Sequence, residues 1–512
     1  MVLLRFAPSP TGALHLGGLR TALYNYLYAK KLGGQWILRI EDTDPTRYVP
    51  GAVDGIRSAL EWAGLEYDHG PVRGGPHGPY YQSERLDLYR TYAHKLLQSG
   101  HAYRCFCSPD KLASTRERLA RTGSNATYDK ACLHLTEEEV AQRVRAGETS
   151  IVRFNDDKLP ERDVGTDLVF GTLRDAHASL PTDPILLKSD HFPTYHLASV
   201  VDDHEMGITH VLRGEEWLPS LPLHLDLYAS LSLRPPQFAH LPILLNPDGS
   251  KMSKRKGSVS VLDFMRRGWE PEALLNWLAL AGWGIPHDQG KRRSPSPASN
   301  GSQGPESTSV MTLSDLIDQF DLGSLTHRRN ILDPAKLEYL NKHHLMRSLQ
   351  SEETTAHHAD RIRELVKSAF PSSQYATPDY IAKVVHVLQG RMINVFDVPV
   401  LAPFFFIDPD YTSTEAQSMR ASVSADDYIL ALETLSSFIE LNEKQSNIVT
   451  VVHNACNATG LKQKSFMKAI RYALSAMETG PSVPDIIGIL GPERTNSRLK
   501  AALAATRGKD NI

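Results

Sequence analysis

The order of apolar and polar positions near the start of the chain predicts alternating strands and helices. Val2 to Ala7 is a short apolar run, and a loop rich in proline and glycine follows it. Leu19 to Leu32 then carries apolar residues at helical spacing, Gln35 to Ile40 has the character of a second strand, and Pro50 begins a second helix. This strand, helix, strand, helix order indicates an α/β fold with a doubly wound, Rossmann-like parallel sheet.

Changes of character along the chain divide the rest of it. Residues 1–100 form the first half of the predicted sheet domain, 101–190 are charged and irregular and indicate an insertion, and 191–250 resume the α/β pattern. Residues 251–332 contain a basic loop and a segment at 288–309 rich in serine, proline and glycine, which we expect to be disordered. The periodic apolar segments of 333–512, such as 381–388 and 429–439, predict a helical domain.

The composition fits a globular protein and excludes a membrane role. The chain has 512 residues, of which 41% are hydrophobic and 22% charged, and this length predicts several domains. Its longest apolar stretches are too short to span a bilayer. The net charge of −3 means that nucleic acid would have to bind through local basic patches. No leader is visible, because Val2 to Phe6 already has the character of a strand.

The loop from Pro8 to Gly18 is the first segment with a chemical signature. Its glycines at 12, 17 and 18 would let backbone N–H groups approach phosphates, and the N-terminus of the next helix adds positive potential. His15 could donate to a phosphate oxygen, although the segment alone could equally be a turn with a surface histidine. Ligands of parallel sheets bind beyond the carboxyl ends of the strands, which places this loop and Glu41 to Arg47 on one rim.

The second segment is Lys251-Met252-Ser253-Lys254-Arg255, which lies between glycines at 249 and 257. Its cations can stabilise the charge that develops as pyrophosphate leaves ATP. A short basic run by itself is more often a solvated loop. Together with the first segment, however, it predicts a single active site that uses ATP.

The two segments resemble the "HIGH" and "KMSKS" signatures of class I aminoacyl-tRNA synthetases. The stretches Arg5-Phe6-Ala7-Pro8-Ser9-Pro10-Thr11-Gly12 and Arg39-Ile40-Glu41-Asp42-Thr43-Asp44, together with Gly18, are similar to the glutamyl branch in its bacterial and organellar form. The resemblance is dense to about Gly257 and looser afterwards. It implies that 101–190 binds the acceptor end of tRNA, that 251–332 contacts the stem, and that 333–512 binds the anticodon.

This resemblance implies an activity and its partners. The α-carboxylate of L-glutamate would attack the α-phosphorus of ATP, used with Mg²⁺, to give glutamyl-adenylate and pyrophosphate. The tRNA-Glu would then accept the glutamyl group with release of AMP. Charging of tRNA-Gln as well stays open, and the enzyme is expected to be a monomer.

The charges of glutamate select residues on the rim. Its two carboxylates need cations or donors, for which Arg5 and Arg213 are placed, and its ammonium needs an anion, for which Glu41 is placed. The resemblance assigns these positions to glutamate and adds Ala7, Ser9, Tyr195 and Ser199. Ser199 stands where family members often have asparagine, and its shorter side chain argues against a direct contact. The resemblance assigns ATP to His15, Gly17, Gly18, Glu216, Leu244 and Lys254, and catalysis to His15, Lys251, Lys254 and Arg255.

The cysteines predict a reducing compartment and a possible metal. Four cysteines are too few for a disulfide framework in a chain of this length. Cys105, Cys107, Cys132 and His134 have the residue types of a closed, structural zinc site, and their spacing is similar to that of some family members. Tyr128 is a rival fourth ligand, and buried thiols without metal are the alternative.

Three alternatives and a location follow from the same comparison. A glutaminyl-tRNA synthetase shares the early motifs but reads the anticodon with β-barrels, and a short paralogue that modifies tRNA resembles the catalytic half only. A non-catalytic RNA-binding relative would have lost His15, Glu41 or Lys254, and all three are present. The helical C-terminal region and the polar insert favour the mitochondrial matrix, with a bacterial cytoplasm as the alternative.

Overall fold

The computed structural model describes residues 1–173, 181–250, 260–283, 309–441 and 447–507. Two compact units are present, Met1–Arg266 with Pro271–Leu337, and Arg267–Glu270 with Glu338–Ile512. Lys251, Lys254 and Arg255 of the basic loop lie outside the described residues, and so does all but the last residue of the predicted polar insert.

The first unit alternates short strands with helices, as the apolar pattern predicts. Its elements are β1 (Leu3–Phe6), α1 (Leu16–Lys31), β2 (Gln35–Leu38), α2 (Ala52–Trp62), α3 (Leu86–Gln98), β3 (Ala102–Cys105), α4 (Pro109–Arg121), α5 (Glu137–Arg145), β4 (Ile151–Phe154), β5 (Thr166–Asp167), β6 (Gly171–Thr172), β7 (Ile185–Leu187), α6 (Tyr195–Glu205), β8 (His210–Gly214), α7 (Leu221–Ser230), β9 (Gln237–Leu241), β10 (Leu244–Leu245), α8 (Val261–Arg266), α9 (Pro271–Leu280), α10 (Leu313–Gln319) and β11 (Asn330–Ile331).

A six-stranded sheet in the order β2-β1-β8-β9-β5-β6 lies at the centre of this unit. Strands β2, β1, β8, β9 and β5 are parallel to their neighbours, and β6 pairs antiparallel with β5 at the edge. Because β1 and β8 are adjacent, the long stretch of sequence between β2 and β8 does not separate the two halves of the sheet in space. The predicted Rossmann-like sheet with an insertion is therefore confirmed.

The insertion itself has a small antiparallel sheet, β3-β4-β7, accompanied in sequence by α4 and α5. The hairpin β5–β6 also falls within the predicted limits of 101–190, yet it belongs to the main sheet, where Asp167 lies opposite Phe238. The chain thus leaves the small sheet after β4, adds two edge strands to the large one, and returns for β7. Such two-residue strands are too short to produce a detectable alternation of apolar residues.

The second unit consists of helices and turns throughout its described residues. Its helices are α11 (Pro334–Ser348, which begins in the first unit), α12 (Glu352–Ala369), α13 (Pro378–Leu388), α14 (Val398–Leu401), α15 (Thr414–Ala421), α16 (Ala425–Leu441), α17 (Ile448–Thr459), α18 (Gln463–Ser475) and α19 (Val483–Arg507), which is kinked at Gly491. Their apolar faces share one core, so the periodic segments 381–388 and 429–439 are helical as predicted. None of the helices in the described part of the chain has the length and apolar character needed to cross a membrane.

Candidate active site

A cavity of about 300 Å³ opens at the carboxyl ends of β1, β8 and β9. This is the rim at which ligands of parallel α/β sheets bind. Ser199 is the one described residue of the predicted ATP and glutamate sites that does not line it. The predicted residues that do line it are Arg5, Ala7, Ser9, His15, Gly17, Gly18, Glu41, Tyr195, Arg213, Glu216 and Leu244.

Ser199 lies behind this wall rather than on it. It is 1% exposed on α6, one helical turn from Tyr195, and its hydroxyl has no hydrogen-bond partner among the described residues. The short side chain therefore does not line the cavity, although Ser199 is among the predicted glutamate-binding residues.

His15 caps the first helix and faces the cavity. Its Nδ1 atom accepts the backbone N–H of Gly18 at 3.0 Å, which satisfies one of the unpaired donors at the start of α1. A nitrogen that accepts a hydrogen bond carries no proton, so in the neutral ring the proton is on Nε2, where it can be donated to a ligand. A Cβ atom on Gly18 would lie 2.7 Å from Cδ1 of Leu14, and one on Gly17 would lie 3.2 Å from the His15 ring. A larger residue at either position would thus displace Leu14 or the ring of His15.

The residues that flank the basic loop are attached to the same place. Ser260, the first described residue after 251–259, forms a β-bridge with His15, and the N–H of Val261 donates to the carbonyl of Leu14 at 2.9 Å. On the other side, Leu244 of β10 lines the cavity. The chain that follows the basic loop is therefore held against the glycine-rich loop at Leu14 and His15.

Arg5 and Glu41 are held by a buried ion-pair network. One carboxylate oxygen of Asp203, on α6, accepts from Nε of Arg5 at 3.0 Å and from Nη1 of Arg39 at 2.7 Å. The other terminal nitrogen of Arg39 donates to Glu41 at 3.3 Å. Burial alone would raise the pKa of Asp203, but the two arginines outweigh it and the pKa is lowered. Burial raises the pKa of Glu41 and outweighs the opposing effect of Arg39 and Arg5.

The adjacent Asp202 links α6 to α3 and to the turn that precedes α3. Its carboxylate accepts from Gln82 at 2.8 Å, from Arg85 at 2.7 Å and from the hydroxyl of Tyr89 at 2.8 Å. Neither Asp202 nor Asp203 is predicted as a site residue from the sequence. The sequence signal that could reveal them is a pair of adjacent acidic residues on a helix whose other residues are largely apolar. Carboxylates are rarely buried unless they are paired, so this pattern indicates a buried ion pair.

Arg213, near the end of β8, is held by hydrogen bonds to neutral groups, whereas Arg5 is held by a carboxylate. Its guanidinium donates to Oη of Tyr195 at 3.1 Å, to Nε2 of His240 at 3.0 Å, to Nδ1 of His224 at 3.3 Å and to the carbonyl of Trp217 at 3.4 Å. Within the described ranges, no carboxylate forms an ion pair with it, although it is only 5% exposed. Neutral groups thus fix the guanidinium while its charge stays available to an anion in the cavity.

Burial keeps the imidazoles beside Arg213 neutral. Burial, followed by the charge of Arg213, lowers the pKa of His196 to about 4 and the pKa of His224 well below its usual range. The pKa of His240 is also lowered to about 4, because burial and Arg213 outweigh the hydrogen bond to Asp167. A neutral imidazole retains a lone pair, and this is what lets His224 and His240 accept hydrogen bonds from Arg213.

Two sequence families match the chain. The family described as "tRNA synthetases class I (E and Q), catalytic domain" matches residues 1–337, and the "Anticodon binding domain" family matches residues 358–503. The chain belongs to the class I tRNA synthetases of the E and Q group. The predicted family, fold class and enzyme class are thereby confirmed.

Full-length relatives agree with this synthetase family. The glutamate–tRNA ligase of Chloroherpeton thalassium is 38% identical, covering 98% of this chain and 97% of its own. The mitochondrial glutamate–tRNA ligase of Saccharomyces cerevisiae is 37% identical, covering 98% and 90%. The crystal structure of a glutamate tRNA ligase from Elizabethkingia meningosepticum, in complex with its amino acid, superposes with a TM-score of 0.83 at 32% identity, covering 98% and 99%.

This synthetase also has a thiol cluster that begins at Cys105, the last residue of β3. The sulfur atoms of Cys105, Cys107 and Cys132 all lie within 4.8 Å of one another. The hydroxyl of Tyr128 is 3.3 Å from the sulfur of Cys105 and 3.7 Å from that of Cys107, whereas His134 is exposed and outside the cluster. A hydrogen bond from Cys132 lowers the pKa of Cys105, while the pKa of Cys132 is raised. The three sulfurs match three of the four ligands of a tetrahedral zinc site, and the hydroxyl of Tyr128 is the described oxygen beside them.

Proposed function

We propose that this synthetase is a glutamate–tRNA ligase that uses ATP to join L-glutamate to tRNA-Glu. The observation that carries the proposal is one cavity with two cations, Arg5 and Arg213, and one anion, Glu41, beside the glycine-rich loop of His15. Glutamate has two carboxylates and one ammonium, and these charges are complementary to two cations and one anion.

In the first step, the α-carboxylate oxygen of glutamate attacks the α-phosphorus of ATP, and the bond to the leaving pyrophosphate breaks. In the second step, a hydroxyl of the terminal ribose of tRNA attacks the carbonyl carbon of the adenylate, and AMP leaves. We assign the protein a positioning and electrostatic role in both steps, because fixed donors aimed at developing charge supply most of the barrier reduction in such sites. Mg²⁺ would neutralise charge on the ATP phosphates.

Glutamate would occupy the end of the cavity formed by β1, α6 and β8. Arg5 and Arg213 would bind its carboxylates, the hydroxyl of Tyr195 would add a donor, and Glu41 would bind the ammonium. Ala7 and Ser9 would contribute the first turn of the loop after β1. Ser199 would act only through packing, since it lies behind the wall of the cavity.

ATP would occupy the end formed by the loop before α1. His15 would donate from Nε2 to a phosphate oxygen, and Gly17 and Gly18 would let the phosphates approach the helix N-terminus. Glu216 and Leu244 would contact the nucleoside, and Lys251, Lys254 and Arg255 would stabilise the departing pyrophosphate. The assignment of the last three rests on the sequence alone.

The activity of a glutaminyl-tRNA synthetase is the less favoured alternative. Synthetases of that kind resemble this chain in the early motifs but read the anticodon with β-barrels, and the described part of 338–507 contains helices and turns. The relatives named above are glutamate–tRNA ligases, including one in complex with its amino acid.

The proposal is tested by an aminoacylation assay. The purified protein is incubated with ATP, with glutamate or glutamine, and with a transcript of tRNA-Glu or of tRNA-Gln. Glutamylation of tRNA-Glu is expected, and product on tRNA-Gln would show relaxed tRNA choice. Arg213→Ala should raise the KM for glutamate at least tenfold with little change in the KM for ATP, since it removes a charged partner of the amino acid only. Glutaminylation without glutamylation would contradict the proposal.

We also propose that Cys105, Cys107, Cys132 and Tyr128 hold a structural zinc ion, with Tyr128 rather than His134 as fourth ligand. Three of the four side chains are buried, and the hydroxyl of Tyr128 already lies between two of the sulfurs. The ion would tie β3 to the turn at Cys132 and would take no part in the chemistry. Closed sites with four protein ligands act in this way.

For the location and assembly, we propose a monomer of the mitochondrial matrix. The mitochondrial ligase of Saccharomyces cerevisiae supports this location, although bacterial ligases are equally similar. A fluorescent fusion of the full reading frame should co-localise with a matrix marker, and a cytosolic signal would contradict the proposal. Light scattering at micromolar concentration should give the mass of one chain.

A further inference from the structure

We propose that Asp167 and His240 are positioning residues that aim Arg213 at the amino-acid substrate while keeping a carboxylate away from its guanidinium. The inference rests on the proposed glutamate site and extends it by two residues. Neither of them lines the cavity, and neither belongs to the signature segments.

The three side chains form a buried chain of hydrogen bonds across three neighbouring strands, β5, β9 and β8. Asp167 of β5 accepts from Nδ1 of His240 on β9 at 2.7 Å, and Nε2 of His240 accepts from Nε of Arg213 at 3.0 Å. The side chains of Asp167 and His240 are both 0% exposed. The other oxygen of Asp167 accepts the backbone N–H groups of Val169 at 2.9 Å and Phe170 at 2.8 Å.

These bonds fix which nitrogen of His240 carries the proton. Asp167 is held as a carboxylate, because hydrogen bonds from His240 and from the backbone outweigh the effect of burial and lower its pKa. A carboxylate can only accept, so the proton of the imidazole lies on Nδ1. The lone pair of Nε2 therefore points at Arg213, and the ring can do this only while it is neutral.

The contrast with Arg5 shows what this arrangement achieves. Arg5 donates directly to the carboxylate of Asp203, so part of its charge is already compensated. Arg213 instead donates to the lone pair of an imidazole, and the carboxylate of Asp167 lies on the far side of that ring. A direct ion pair in a buried site would compete with a substrate carboxylate for the same guanidinium. The imidazole orients Arg213 without that competition.

The proposal gives a reason for the edge hairpin of the main sheet. Strand β5 brings Asp167 to β9 and no other element supplies a carboxylate at this point in the described chain. The backbone N–H groups of Val169 and Phe170, in the turn that follows β5, bind the same carboxylate. The hairpin thus carries both the acidic residue and the donors that keep it ionised.

Two variants test the chain of bonds without removing its volume. In Asp167→Asn, the amide can donate to Nδ1 of His240, which moves the ring proton to Nε2 and turns an N–H toward Arg213; the same exchange of tautomer disables other buried Asp–His pairs. We expect the KM for glutamate to rise about tenfold, with the KM for ATP nearly unchanged, in ATP–pyrophosphate exchange with tRNA-Glu present. In His240→Gln, the amide oxygen can still accept from Arg213, so a smaller rise is expected than in His240→Leu.

The controls separate this role from a structural one. His210→Gln alters another histidine of the same sheet, on the strand of Arg213 but away from its guanidinium, and should leave the KM for glutamate unchanged. In an Arg213→Ala background, Asp167→Asn should have no further effect on this KM.

The outcomes are distinguishable. A lower unfolding midpoint in Asp167→Asn and His240→Gln, with an unchanged KM for glutamate, would mean that the two residues only support the fold, and it would overturn the inference. If Arg213→Ala itself leaves the KM for glutamate unchanged, the proposed glutamate site is wrong. If the KM for glutamate rises in Arg213→Ala but not in Asp167→Asn, the positioning role is refuted and the proposed glutamate site is not.

Discussion

The Nδ1 atom of His15 accepts the backbone N–H of Gly18 at 3.0 Å, so a single hydrogen bond both caps α1 and leaves the proton on the opposite ring nitrogen. The structural and the chemical role of this histidine therefore use different atoms. They can be separated by substitution.

His15→Asn should keep the cap and lose the donor, because its amide oxygen can replace Nδ1 but nothing replaces Nε2. We expect an unfolding midpoint close to that of the unmodified protein, with pyrophosphate exchange reduced about a hundredfold or more. His15→Ala should show the same loss of exchange and also lose about 1 kcal/mol of local helix stability. Near-normal exchange in His15→Asn would show that Nε2 donates to nothing in the reaction.

Glu41→Gln should stabilise the fold while weakening glutamate binding. The pKa of Glu41 is raised, so the folded protein holds this proton to higher pH than the unfolded chain, and the folded state loses stability as pH rises through that range. The glutamine variant does not bury a charge at this position, so its unfolding midpoint at pH 7.5 should be higher than that of the unmodified protein. The difference between the two midpoints should shrink toward pH 5. Its KM for glutamate should rise at least tenfold. A lower midpoint at pH 7.5 would show that the pair with Arg39 outweighs burial.

Asp203→Ala should be among the most destabilising single changes in the first unit. It leaves the buried guanidiniums of Arg5 and Arg39 without their shared acceptor, and breaking a buried pair in this way costs about 3 to 5 kcal/mol. The matched control is Asp54→Ala, which breaks an exposed pair with Arg57 and should change stability by less than about 1 kcal/mol. Denaturant titration of both variants makes the comparison, and similar midpoints would show that the network contributes little.

Tyr128→Phe should lower the zinc content of the purified protein, whereas His134→Ala should leave it near one ion per chain. The hydroxyl of Tyr128 lies among the sulfurs, and the side chain of His134 is exposed. Cys456→Ser is the control, since this buried cysteine belongs to the second unit. Atomic absorption after gel filtration measures the content. Loss of zinc in His134→Ala but not in Tyr128→Phe would reverse the assignment.

The sequence is a good guide wherever the information is local. The loop from Pro8 to Gly18, the strand that ends at Phe6 and the helices of the C-terminal region each follow from spacing within a few residues. The cavity lining could be anticipated because the carboxyl ends of parallel strands meet at one rim. In each case the pattern and the structure concern the same short stretch of chain.

The residues that the sequence does not reveal have their partners far away. Asp203 is 198 positions from Arg5, and His240 is 27 positions from Arg213 and 73 from Asp167. No periodicity connects such pairs, because a buried polar contact depends on how strands and helices are placed against each other. The placement of β5 is of the same kind: only the sheet order shows that two residues of a charged, irregular stretch complete the main sheet.

The course of the chain through the inserted region limits how this enzyme can be re-engineered. A graft of the small sheet from another synthetase, cut as one block from residue 101 to residue 190, would carry away Thr166–Thr172 and with it the edge of the large sheet and Asp167. The exchangeable module is therefore discontinuous, with β3 and β4 on one side of the hairpin and β7 on the other. A chimaera needs four junctions rather than two, and the recipient's own hairpin has to stay in place between them.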